Sequence, residues 1–315
     1  MALLFCMLFL QAAGIVSSGR PELSPLRSAE TSGTDIALST ATIRKYVAEV
    51  GVNFTVQDNR VLVRNLRREE VTVIDDGRVI PDFVLFSQPS EVPLKVALLI
   101  DRSDSMSKSF AELRRGAQRF LDRVLSAGTN SAVVVDFAAK PSFWQVSSAM
   151  SPDLTPVHLD SFRSSGLTAL YDALYATSRY PMMSVPDSLP VRRLLILLSD
   201  GEDNYSLHSL QEAIEAAQRN DIAIYAITVH NRHYSYPGDA VLQRLASATG
   251  GRAFALKKLD AVDQVFAQIQ GELGAQYSIW FRSQAAHAGY HRVEVLPRIG
   301  GLRIHAREGY YSCAP

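Results

Sequence analysis

Apolar and polar positions change rhythm twice along this chain. Between Val52 and Phe86 they alternate in short stretches, first at Val52, Phe54 and Val56 and then at Val71 and Val73. A period of two marks strands with one covered face. Asp76-Gly77 separates Val71–Asp75 from Arg78–Phe86 and predicts a hairpin, because glycine accepts the positive φ of a tight turn. From Lys95 the pattern is different. Val96–Ile100 is unbroken apolar sequence, as expected of a strand covered on both faces. Leu113, Ala117, Phe120, Leu121 and Val124 then fall at helical spacing. Further strands are predicted at Ser131–Phe137, Leu194–Leu198, Ile222–Val229 and Arg252–Leu256. Helices are predicted near Ala169–Ser178, at Leu207–Arg219, at Ala240–Ala248 and through Val262, Val265, Phe266, Ile269 and Leu273. After Gly274 strands return at Tyr277–Phe281, His291–Leu296 and Leu302–Ala306.

Strands alternating with helices predict an α/β fold over residues 92–274: a doubly wound, mostly parallel sheet sandwiched by helices. The flanks, 42–91 and 275–315, are β-rich, and each is too small to bury a core alone. They are expected to pair into a smaller β-rich domain.

The start of the chain reads differently again. Ala2–Val16 is almost wholly apolar, short for a membrane span and suited to the core of a secretory signal. Residues 1–19 are therefore read as a signal peptide and 20–41 as a polar linker. No Lys or Arg precedes the apolar run, so a retained N-terminal anchor is the alternative. Either reading predicts export, to the periplasm, the cell envelope or the extracellular space. Cys6 falls in the signal, leaving Cys313, so neither a disulfide framework nor a thiolate metal site is available. Thirty-two basic residues balance thirty-two acidic ones, which gives no field for nucleic acid or an acidic membrane surface.

Candidate chemistry gathers at strand ends. Asp101, Ser103 and Ser105 follow the first buried strand, Thr168 lies in a loop entering a helix, and Asp200 follows the strand Leu194–Leu198. In a doubly wound sheet the carboxyl ends of the strands line one crevice, where ligands bind. Spacing i, i+2, i+4 in a loop can aim three side chains at one point. All five side chains carry hard oxygen donors, which suits a small hard cation. Two carboxylates neutralise a divalent ion formally, and three hydroxyls add geometry without charge.

This set resembles the metal-ion-dependent adhesion site of von Willebrand factor type A domains. The family pattern is Asp-x-Ser-x-Ser, a distant Thr, then an Asp commonly followed by Gly. Here it stands as Asp101/Ser103/Ser105, Thr168 and Asp200-Gly201. The resemblance implies Mg2+ (or Mn2+), with Ser103, Ser105 and Thr168 as direct ligands and Asp101 and Asp200 partly linked through water. It implies divalent-cation-dependent binding of a partner protein that supplies an acidic side chain. Glu69–Gly77 and Arg307-Glu-Gly-Tyr-Tyr311 are similar to the ends of an exported bacterial VWFA-related family first noticed in Acidobacteria. Asp104 departs from the pattern, which usually has Gly there, and is read as a solvated loop residue.

No nucleophile elbow, phosphate loop, His-Glu-x-x-His or paired-Cys motif is present, so an enzyme is not expected. The alternatives are a metal-dependent hydrolase and a structural envelope protein using the domain only as scaffold. His230-Asn-Arg-His233 is read as a surface loop on the crevice rim, and Asp203 as a helix-start or supporting residue. Oligomeric state is not legible.

Overall fold

The computed structural model describes residues 49–59, 61–87, 92–126, 128–146, 167–180, 183, 191–229, 236–256, 258–283 and 287–312, all within one compact unit, Lys45–Pro315. The stretches read as signal peptide (1–19) and linker (20–41), and the His230–His233 segment, lie outside the described residues. Among those described, no helix is long and apolar enough to cross a membrane.

In chain order the strands are β1 (Glu49–Asp58), β2 (Val61–Leu62), β3 (Val71–Asp75), β4 (Arg78–Val79), β5 (Leu85–Ser87), β6 (Leu94–Asp101), β7 (Ser131–Phe137) and β8 (Pro141–Val146). They continue as β9 (Arg192–Leu198), β10 (Ile222–Val229), β11 (Ala253–Leu256), β12 (Tyr277–Arg282), β13 (Gly289–Pro297), β14 (Leu302–Ala306) and β15 (Gly309–Ser312). Among the described residues the helices are α1 (Phe110–Leu125), α2 (Leu170–Ser178), α3 (Leu210–Arg219), α4 (Pro237–Thr249) and α5 (Val262–Leu273).

The central sheet runs β11-β10-β9-β6-β7-β8, parallel except for the edge strand β8. Successive residues of β6 serve opposite faces. Val96, Leu98 and Ile100 pack with α1 and α5, whereas Ala97 and Leu99 pack with α2, α3 and α4. Both faces are covered, so the strand is unbroken apolar sequence from Val96 to Ile100. Each strand was expected within two residues of where it lies, but β8 was not foreseen. It opens on Pro141 and mixes Ser142 and Gln145 with Phe143 and Trp144, as an edge strand tolerates.

The flanks pair as predicted, in two antiparallel sheets. One runs β14-β1-β12-β5 with β2 against β1; the other runs β15-β13-β3-β4. Their facing sides share a core of Val52, Phe54, Val56, Val73, Tyr277, Ile279, Phe281 and Val293. The β3–β4 turn has Asp76 at φ 46° and Gly77 at φ 77°, both left-handed, as a two-residue hairpin with positive φ at both positions requires.

Arginines fasten the two parts together. The buried Arg192 guanidinium on β9 donates to the carbonyls of Leu273 (2.8 Å) and Val92 (3.3 Å), at the two ends of the α/β part, and reaches Gln276 Oε1 in the C-terminal flank (3.5 Å). Arg307 donates to the Gly51 carbonyl (2.6 Å) and pairs with Asp221 beyond α3. This junction leaves the carboxyl ends of the central strands clear.

Candidate functional site

β6 and β9 are neighbours, with Ile100 opposite Leu198, so the residues leaving both strands meet at one edge. Asp101 ends β6 and is fully buried. One carboxylate oxygen accepts the Ser103 amide (2.8 Å), and the other accepts the Ser199 hydroxyl (2.7 Å). Ser199 in turn accepts the Gly201 amide (3.1 Å), which links the two strand ends through one hydroxyl. Burial pushes the Asp101 carboxyl up to about 6, against the hydrogen bonds, and the nearby Asp200 charge adds to the rise. The next residue, Arg102, supplies no compensation, because its guanidinium turns to Asp136 (2.5 Å). Asp136, unusual in an apolar strand, is thereby explained. It also accepts the Trp144 indole N–H (3.0 Å).

The chain then makes a short 3-10 turn, Asp104–Met106, before α1. Met106 is buried beneath the turn, while Ser103 and Ser105 bring their hydroxyl oxygens 3.0 Å apart. Asp104 is exposed.

Thr168 is buried and held by the loop that follows β9. Its amide donates to Asn204 Oδ1 (2.8 Å), and its carbonyl accepts the amides of Asn204 (3.0 Å) and Tyr205 (3.1 Å). The same two segments cross-link further on. Asp203 accepts the Tyr171 amide (3.2 Å), Ser206 Oγ accepts the Asp172 amide (3.0 Å), and Asp172 accepts the Leu207 and His208 amides (3.0 and 2.8 Å). Asp203 thus supports the start of α2, in line with its reading as a helix-start residue. α3 begins at Leu210 rather than Leu207 because Asp172 captures those amides, leaving Ser209 as cap with Glu212 completing a capping box.

Asp200 precedes Gly201, which has φ +82° and no room for a side chain. A Cβ there would stand 2.4 Å from the Gly238 carbonyl oxygen. A Cβ on Gly238 would stand 2.0 Å from the Asp200 carbonyl oxygen, so the start of α4 is pressed against this loop. The Tyr236 amide caps onto Asp239 (3.2 Å) at that point.

The donors suit a hard divalent cation on two grounds. The 3.0 Å between the serine hydroxyls matches one edge of an oxygen octahedron with bonds of about 2.1 Å. A buried carboxylate with a raised pKa also lacks positive charge, which a cation supplies. Sequence reasoning missed Ser199 and Asn204, which hold Asp101 and Thr168. Asn204 opens an Asn-x-Ser glycosylation pattern, and its amide group is instead engaged with Thr168.

A mostly parallel sheet covered by helices on both faces, with this loop cluster at its carboxyl edge, is a doubly wound α/β domain. The chain belongs to the von Willebrand factor type A domain family, matched over residues 95–268. No curated protein matches the sequence. Solved structures with similarity include proximal thread matrix protein 1 from the mussel byssus, at 17% identity and TM-score 0.45, covering 63% of this chain and 51% of that one. The pilus adhesin SpaC of Lactobacillus rhamnosus GG, in its open conformation, matches at 11% identity and TM-score 0.46, covering 78% and 48%. BatB of Bacteroides thetaiotaomicron, a conserved hypothetical protein, matches at 18% identity and TM-score 0.40, covering 57% and 98%. The chain spans about half the length of the first two.

Proposed function

We propose that this protein is an exported, divalent-cation-dependent protein-binding module. Membership of the von Willebrand A family supports an interaction role. The observation that supports the finer reading is the 3.0 Å approach of the Ser103 and Ser105 hydroxyls in the loop leaving a fully buried Asp101, whose hydrogen bonds come from Ser103 and Ser199 and whose neighbour Arg102 turns to Asp136. Asp101, Ser103, Ser105, Thr168 and Asp200 would hold the cation, Mg2+ or Mn2+. Bound there, it would offer an electrophilic position to an acidic side chain of the partner protein.

The chain's own residues do the preparation. Ser199 and the Ser103 amide occupy one lone pair on each Asp101 oxygen, which fixes the carboxylate without neutralising it. Asn204 sets the height of Thr168 against the Asp200 loop. Gly201 lets α4 close beside it. The apolar signal at Ala2–Val16 supports export.

Calorimetric titration of Mg2+ into wild type and Asp101→Ala tests the site, with binding expected only in wild type; equal affinity in both would sink the reading. Capture of a native envelope partner that EDTA abolishes tests the recognition role.

A further inference from the structure

A second cluster of metal-ligating side chains lies in the β companion, apart from the strand-end oxygens. Asp76, His287 and His291 place one potential ligand atom each within 4.8 Å of one another. They come from three places: the β3–β4 turn, the segment entering β13, and β13 itself. The chemistry differs from that of the oxygen site. Two imidazoles and one carboxylate suit a borderline divalent ion, and three protein ligands leave a fourth position for water.

The surroundings of His291 decide which nitrogen is available. Its ring is fully buried. Nδ1 faces Asp76 Oδ2 at 2.7 Å. Nε2 faces the His287 carbonyl oxygen at 3.1 Å and the Ser312 hydroxyl at 2.8 Å. A carbonyl oxygen can only accept, so it favours a proton on Nε2. Nδ1 in turn holds the hydrogen bond to the carboxylate, and a bound ion takes the place of that proton while the Nε2–H stays on its carbonyl. A ligating histidine usually donates its other N–H to a carbonyl or carboxylate, and here that partner is already in place. Asp76 is fixed in the same manner, because its second oxygen, Oδ1, accepts the Arg292 amide at 2.9 Å. Its backbone sits in the left-handed region, locked by the hairpin.

His287 is the adjustable member. Its ring is exposed and stacks on His291 with centroids 4.6 Å apart, and Nδ1 meets the neighbouring Ala288 carbonyl at 3.1 Å. Stacked rings do not aim their in-plane lone pairs at one point, so His287 must rotate, which an exposed side chain can do.

We propose that Asp76, His287 and His291 form a binding site for a borderline transition-metal dication of the Zn2+ class. The ion replaces the hydrogen bond between Asp76 Oδ2 and His291 Nδ1, opening that separation to about 3.3 Å for tetrahedral bonds of about 2.0 Å. It staples the β3–β4 turn to β13, inside the sheet that carries the last strand, β15. This site is independent of the function proposed for the oxygen cluster.

The test uses the untagged full-length chain, stripped with EDTA and held in excess Mg2+ so that the oxygen site is not competing. Zn2+ is titrated calorimetrically, and Co2+ is added separately to read the absorption bands of a tetrahedral ion. One equivalent of Zn2+ is expected in wild type and also in Asp101→Ala. Affinity should fall at least about tenfold in His287→Ala and in Asp76→Asn. His287→Ala is the principal variant because its ring is exposed; an unchanged metal-free melting temperature confirms that it folds. Zn2+ should raise the melting temperature of wild type and leave that of His287→Ala unmoved. Equal Zn2+ affinity in wild type and His287→Ala, or loss of the Zn2+ equivalent in Asp101→Ala, would overturn the proposal.

Discussion

The central sheet and the companion sandwich are both β structure, yet they keep their polar groups in different places. Strands of the central sheet are buried on both faces, so Val96–Ile100 of β6 and Leu194–Leu198 of β9 are apolar throughout, and the candidate chemistry lies just beyond them, at Asp101 and Ser199. Strands of the companion bury one face, so polar side chains lie along their length. Asp75 on β3 accepts from both Ser283 (2.9 Å) and Tyr310 (2.8 Å), and His291 on β13 reaches Asp76 and Ser312. In the first case the sheet builds a crevice edge; in the second it builds cross-links between strands.

Substitutions should separate the two. The largest effect is expected from Phe281→Ala, fully buried between the companion sheets, at about 3–5 kcal/mol of unfolding free energy in denaturant titration. Mg2+ affinity should stay unchanged, since the residue is remote from the strand-end loops. A large fall in affinity would show that the two parts do not act separately.

Next comes Asp101 in metal-free protein. Its carboxyl is raised from 3.8 to about 6, so the folded state holds a proton that the unfolded chain has released. Stability from this group is fully present below about pH 3.8 and is lost as pH rises to about 6, by on the order of 2–3 kcal/mol. Asp101→Asn should remove that slope from urea midpoints taken across the window. A slope retained in the variant would place the titrating group elsewhere.

Gly201→Ala should follow, at more than about 1 kcal/mol, because the left-handed φ and the Gly238 carbonyl both oppose a Cβ. Mg2+ binding should be lost with it. Asn204→Ala should cost about 1 kcal/mol and weaken Mg2+ binding in calorimetry, with the melting transition otherwise intact. Arg119→Ala should do least, under about 1 kcal/mol in the same unfolding measurement, because its pair with Asp263 is exposed.

The same contrast explains what was legible in the sequence. Continuous apolar runs located β6, β7, β9 and β10 closely, because burial on both faces leaves no alternative residue type. That Asp101 ends β6 and that the Asp200 loop follows its neighbour β9 was legible because strand ends fix where loops begin. Partners distant in sequence were not. Nothing local at Asp172 tells that it will take the Leu207 amide and shorten α3, nor that Asn204 will grip Thr168. Asp76 was read for its turn, and its encounter with His291 depends on a register set by β3 against β13, with Asp75 opposite Val293. β8 escaped notice because an edge strand can be half polar.

The pairing of the flanks also makes the A domain an insertion within the companion. Phe54 of β1 pairs with both Tyr277 and Ala306, residues synthesised long after it. During synthesis β1 therefore has only the short β2 beside it until most of the chain has emerged. Loop closure over such a span grows only logarithmically in cost, but a folded A domain shortens it decisively by fixing Leu94 and Leu273 in one body. Once folded, the inserted domain thus holds the two flanks of its host within reach of each other.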